Sequence, residues 1–179
     1  MLLSIGKKRS ATDLHDLVLD CHERIRHFTA LAVKLATLDA SAEERAGVAA
    51  SVARYFEKAL PLHIRDEDES ILPRLRGRAP DVDAALTRMH DEHEEHDAMR
   101  AELVERTLAI AIDPQVYPEH VERLRTLAPA LRDALHLHLE SEERVIVPAL
   151  PRLLSVDERR AVIAEMRARR DEGHVLSRA

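Results

Sequence analysis

Aromatic residues are nearly missing from this 179-residue chain, which has two phenylalanines, two tyrosines and no tryptophan. Its core must therefore be aliphatic. Glycine is scarce too, at four residues, while 45% of the chain is apolar and 34% charged. That composition fits a soluble, mostly helical protein, and the length suits one domain with a full core. A single cysteine, Cys21, excludes an internal disulfide framework and suits a reducing compartment. No uncharged run approaches the roughly 20 residues that span a bilayer. Met1 to Ser10 carries its apolar residues ahead of its basic ones, the reverse of a secretory leader. A net charge of −6 argues against nucleic acid as a partner. The expectation is a cytoplasmic protein with neither a membrane nor a nucleic acid as partner.

Four long stretches show apolar residues at three- and four-residue spacing. The first, 11–38, carries Leu14, Val18, Ile25, Ala32 and Leu35 in register. The second opens at Ser41-Ala42-Glu43-Glu44, a capping-box pattern. It continues through Val48, Val52 and Ala59 to His63 and Glu67, and ends around Pro73, Gly77 and Pro80. The third, 81–112, carries Leu86, Met89, His93, His96, Leu103 and Ile110, and Asp113-Pro114 stops it. The fourth runs from Pro118 to Pro148 with Leu124, Ala128, Leu131, Leu135, His138 and Glu142. Ser155 to Glu158 opens a last, shorter amphipathic pattern. The predicted fold is all-α, an up-down antiparallel four-helix bundle with a short additional C-terminal helix. The predicted division is an arm at 1–10, the bundle at 11–150, the C-terminal helix at 151–170 and a flexible tail at 171–179. Pro61 and Pro129 fall inside helices and predict a kink or interruption at each.

Eight residues recur at an offset of 75: Ala59, Leu60, Leu62, His63, Glu67, Ile71, Pro73 and Leu75 return as Ala134, Leu135, Leu137, His138, Glu142, Ile146, Pro148 and Leu150. At its centre a His precedes a Glu by four residues both times. Positions i and i+4 of an α-helix share a face, so each pair forms a two-pronged clamp. Both clamps continue an apolar stripe. Buried polar groups must be satisfied, and a metal satisfies two such pairs at once. The chain has eleven histidines, and His-x-x-x-Glu also occurs at His90 and His136. Those pairs lack the duplicated frame and read as surface pairs.

The other two helices offer partners. His22 lies on the stripe of the first helix. On the third, His93 and His96 both fit the stripe, His93 by frame with His22 and His96 as its alternative or as an additional ligand. Cys21 reads as a small buried or half-buried thiol. The acidic run Asp66 to Glu69 reads as a solvated face around one inward carboxylate, Glu67. The Arg-rich stretch Arg159 to Arg170 reads as the outer face of the last helix.

In this order the elements resemble the hemerythrin-like family, the HHE cation-binding domain. The resemblance rests on His22 within Asp20-Cys21-His22-Glu23-Arg24-Ile25, on His63 to Glu67 ahead of Ile71-Leu72-Pro73, on Glu92-His93, and on His138 to Glu142 ahead of Ile146-Val147-Pro148. It covers about residues 11 to 170. It implies a non-haem di-iron centre in which His22 and His63 hold one iron, His93 and His138 the other, and Glu67 and Glu142 bridge them. A His/carboxylate set fits iron, manganese or a mixed pair better than a thiolate-preferring metal. The chain departs from the animal oxygen carriers, which use more histidines and a His-x-x-x-His pair on the third helix. It also lacks the paired cysteines of the iron-centre repair branch. The expected function is binding or sensing of a small ligand, oxygen, nitric oxide or peroxide. An enzyme turning over peroxide or nitric oxide is the alternative, and a metal-free helical interaction module the second.

Overall fold

The computed structural model describes residues 13–176, with side chains as far as Asp171. The predicted arm at 1–10 and the end of the predicted tail at 177–179 lie outside the described residues. The first helix, α1, spans Leu14–Leu35 and starts where the Asp13 side chain accepts a hydrogen bond from the His15 N–H. It is therefore shorter at both ends than the stripe predicts. The second helix, α2, covers 42–75 and begins with the predicted capping box, in which Ser41 and Glu44 bond each other's backbone N–H. Gly77, at a φ of 80°, turns the chain out of it, a conformation that glycine adopts without strain. The third, α3, spans Pro80–Ile112. A short 3₁₀ turn, Pro114–Val116, leads into α4 at Tyr117–Leu153. The last, α5, spans Val156–Leu176 and opens on a second reciprocal pair, Ser155 with Glu158. It continues beyond Arg170 into part of the predicted tail.

Helix α2 is not uniform. It is α-helical over Ala42–Arg54, Leu60–Arg65 and Leu72–Leu75, with π turns at Tyr55–Ala59 and Asp66–Ile71. Each π turn is followed by a leucine that precedes a proline. Leu60 N–H donates to Tyr55 O, and Leu72 N–H to Glu67 O. A proline has no N–H, and its ring crowds the carbonyl one turn back. Widening the winding by one residue makes room for that ring. The next carbonyl in the wider register, that of Phe56, would have accepted from Pro61. It accepts from the Arg100 guanidinium of α3 instead, at 3.1 Å. Pro61 thus sits at an interruption, as predicted. Pro129 does not: α4 stays helical through Pro129, Pro148 and Pro151.

The four main helices pack antiparallel, each against its two chain or ring neighbours (α1 with α2 and α4, α3 with α2 and α4). The core they enclose is split. One apolar half gathers Val18, Ile71, Leu75, Leu86, Met89, Ile146 and Leu150 with Val162, Ile163 and Met166 of α5. The other gathers Ile25, Leu35, Val52, Phe56, Leu60, Leu103, Leu131 and Leu135. Along every main helix the residues between the halves are polar and buried: His22, His63 with Glu67, His93, and His138 with Glu142. The bundle positions the site as a polar layer between two apolar cores, the first aliphatic and the second, against expectation, also holding Tyr55 and Phe56.

Candidate metal centre

The polar layer resolves into two groups that share both carboxylates. His22, His63, Glu67 and Glu142 form one, and Glu67, His93, His138 and Glu142 the other, with the donor atoms in each group within 4.8 Å of one another. Each clamp closes as i and i+4 predict. His63 Nε2 is 3.2 Å from Glu67 Oε1, and His138 Nε2 is 3.1 Å from Glu142 Oε1. The carboxylates also reach across the bundle. Glu142 Oε2 is 3.3 Å from His22 Nε2, and Glu67 Oε2 is 3.3 Å from His93 Nε2.

Several of these atoms are buried without a hydrogen-bond partner: Nε2 of His22, His63 and His93, Oε2 of Glu67 and both oxygens of Glu142. Left so, such groups cost of the order of 1–3 kcal/mol each. Their convergence on the same space is the donor arrangement of a binuclear metal centre. Nitrogen and carboxylate oxygen donors fit iron or manganese, so the residues present fit the group the family implies.

The far sides of the His22 and His138 rings are also held. His22 Nδ1 donates to Glu143 Oε1 at 2.9 Å, and Arg26 holds that carboxylate in turn at 2.9 Å. His138 Nδ1 donates to Glu92 Oε2 at 2.7 Å. His93 Nδ1 lies 3.4 Å from Asp68 Oδ1 without a hydrogen bond, and that oxygen accepts from the exposed His90 at 3.2 Å. The buried Cys21 thiol is an electrostatic neighbour of His63, and Arg24 donates to its Sγ at 3.4 Å. Ligand imidazoles characteristically use such partners to fix tautomer and orientation. Sequence reasoning missed these partners. Glu92, Asp68 and Glu143 each sit beside a candidate ligand in the chain, as Glu92-His93, Glu67-Asp68 and Glu142-Glu143. Glu92 and Glu143 serve a histidine on a different helix.

The electrostatics follow from that density of charge. Burial disfavours the charged form of His22, but Glu142 and Glu67 outweigh it and raise its pKa to about 10. Burial likewise opposes His93, and Asp68 and Glu67 raise it to about 10. Burial works against ionised Glu67, yet His63, His22 and His93 hold it well below the usual carboxylate range. Burial opposes the Cys21 thiolate, and His63 and Arg24 outweigh it, lowering the thiol.

A small cavity adjoins the layer on the side of Ile25, Leu60, Leu131 and Leu135. It offers about 20 Å³ to the centre of a water-sized molecule and also touches His63, His93 and His138. A single water needs roughly 10–15 Å³ of such space. The space therefore suits a ligand of a few atoms. Ile64, His96, Asp97 and Arg100 complete the wall. His96 belongs to neither donor group; its ring stands edge-on to His138 at 5.6 Å between centroids. Burial and the neighbouring His138 lower its pKa.

Two surface readings are corrected. Asp66 is buried, not solvated: Arg169 and Arg170 of α5 grip its two oxygens at 2.8 and 2.7 Å. Arg169 also donates to Ser70 Oγ at 2.7 Å, and Arg74 pairs with Glu165 at 2.6 Å. Arg169 and Arg170 therefore face α2 and not the outside, because α5 lies across the second π turn. His90 is exposed and His136 half-buried, and neither joins a donor group.

A four-helix bundle with a buried layer of four histidines and two shared glutamates defines a binuclear metal-binding protein. The hemerythrin HHE cation binding domain matches residues 13–112, more than half of the chain, and the protein belongs to that family. The match contains His22, His63, Glu67 and His93 and ends before α4, so the fold alone brings His138 and Glu142 to the others. No curated protein and no solved structure matches the chain.

Proposed function

We propose that this is a non-haem di-iron protein that binds or senses oxygen, nitric oxide or peroxide. His22 and His63 would hold one metal and His93 and His138 the other, with Glu67 and Glu142 shared between the two groups. The observation that carries the reading is the set of unpartnered buried donor atoms converging beside a cavity sized for a few atoms. A metal-free interaction module would leave those atoms unsatisfied. Iron is the first choice for this donor set, with manganese or a mixed pair next. When bound, the metals supply an open coordination position for the small ligand.

The chain's own residues do the rest. Glu143 and Glu92 orient the His22 and His138 rings, and Asp68 sets a negative charge beside His93. Ile25, Leu60, Leu131 and Leu135 keep bulk water from the cavity. Glu67 and Glu142 offset the charge brought into the core. The working compartment is a reducing cytoplasm; among the described residues no helix is long and apolar enough to cross a membrane.

Metal analysis with an anaerobic-to-aerobic optical titration tests the reading. Two iron ions per chain and a spectral change on admitting oxygen are expected, and His63→Ala should lose metal. Purified protein that takes up neither iron nor manganese would sink it. A steady-state peroxide assay on the loaded protein separates binding from turnover.

A further inference from the structure

We infer that His96 is the residue through which the cavity holds its small ligand, as a hydrogen-bonding partner and not as a metal ligand. The inference rests on the di-metal reading above. His96 lines the cavity beside His93 and His138, yet its ring nitrogens fall outside both groups of converging donors. Its Nδ1 is buried and has no hydrogen-bond partner. The polar wall groups outside the two donor sets are otherwise engaged: Arg100 bonds Asp97 at 2.6 Å and Phe56 O at 3.1 Å. The remaining wall, apart from the imidazoles of the two donor groups, is aliphatic. An unsatisfied nitrogen in such a setting is costly, and a molecule in the cavity would satisfy it.

The cavity also favours one side of the layer. It touches both imidazoles of the His93/His138 group, one of the other group, and not His22. His96 leans on His138, on that same side. A neutral imidazole can donate or accept through Nδ1 according to tautomer. It therefore suits a ligand of two or three atoms with a lone pair or a proton at its outer end, and offers nothing to a purely apolar guest.

Azide is a suitable probe, added to the oxidised, iron-loaded full-length protein. Iron content and azide dissociation are measured for the wild type, His96→Leu and His96→Gln. Full iron content is expected in all three. Azide should leave His96→Leu roughly five- to tenfold faster, the worth of one hydrogen bond, and His96→Gln should recover part of the difference. If His96→Leu does not fold, His96→Ala beside His96→Gln makes the same comparison. Loss of iron from the Leu or Ala variant, with His63→Ala behaving as a ligand variant should, would make His96 a ligand and overturn the inference. Full iron with unchanged azide dissociation would overturn it as well. A wild type that binds no metal would instead remove the di-metal reading beneath it.

Discussion

At the scale of the residue, the site is a contest between desolvation and pairing. Burial alone would strip the charge from His22 and His93, but the carboxylates around them raise both to about 10. In the metal-free protein both rings therefore keep their protons at neutral pH and lose them only as the pH rises through about 10. A metal requires the neutral ring, so uptake must expel protons. The expected outcome is tighter metal binding at pH 8 than at pH 6, with protons released on loading. Titration in weak buffer with a pH indicator checks it, and uptake without proton release would contradict it. The six candidate ligands were legible in the sequence because the offset of 75 marks His63, Glu67, His138 and Glu142 together, and stripe position marks His22 and His93. Glu92, Glu143 and Asp68 were not. Each looks like one more surface acid until the helices are packed, because a helix pattern does not say which neighbour an outward acid will meet.

At the scale of the element, α2 carries the surprise. The helices themselves were legible from spacing and from Ser41 and Glu44. The π turns were not, because α4 buries the counterparts of the same residues in a continuous α-helix. Proline alone does not mark them either: Pro73 follows a π turn and its counterpart Pro148 does not. What differs is the neighbour. Adjacent residues of an α-helix diverge by about 100°, yet Asp66 and Glu67 are both buried, one on the arginines of α5 and the other in the site. The π turn lies where both demands fall on α2. Asp66→Asn should loosen α5 and disturb Glu67 behind it. Removing one partner from a buried ion pair costs about 3–5 kcal/mol. A lower melting temperature and weaker metal binding are both expected. Unchanged metal affinity in a folded Asp66→Asn protein would show that the two faces are independent.

At the scale of the whole molecule, the polar layer crosses the bundle and takes residues from all four main helices. A ligand that binds only the folded state stabilises it by about 4 kcal/mol at a thousand times its dissociation constant. In a chain of this size each kcal/mol is worth roughly 2–4 °C. Metal loading should therefore raise the melting temperature by about 10 °C, as read by calorimetry with and without iron. An identical melt would place the histidines outside any metal site. The bundle and its order were legible in the sequence because local periodicity and short connections decide them. The division of the core into two halves was not, since it exists only once the four polar positions come level.

The packing of α5 has one more consequence. Its Val162, Ile163 and Met166 fill the half of the bundle that holds Met89 and Leu150, while the cavity lies against Ile25, Leu60, Leu131 and Leu135 in the other. The two ends of the site are therefore unlike: α5 backs the half without the cavity, while the cavity wall carries Arg100, tied to the carbonyl that Pro61 leaves free.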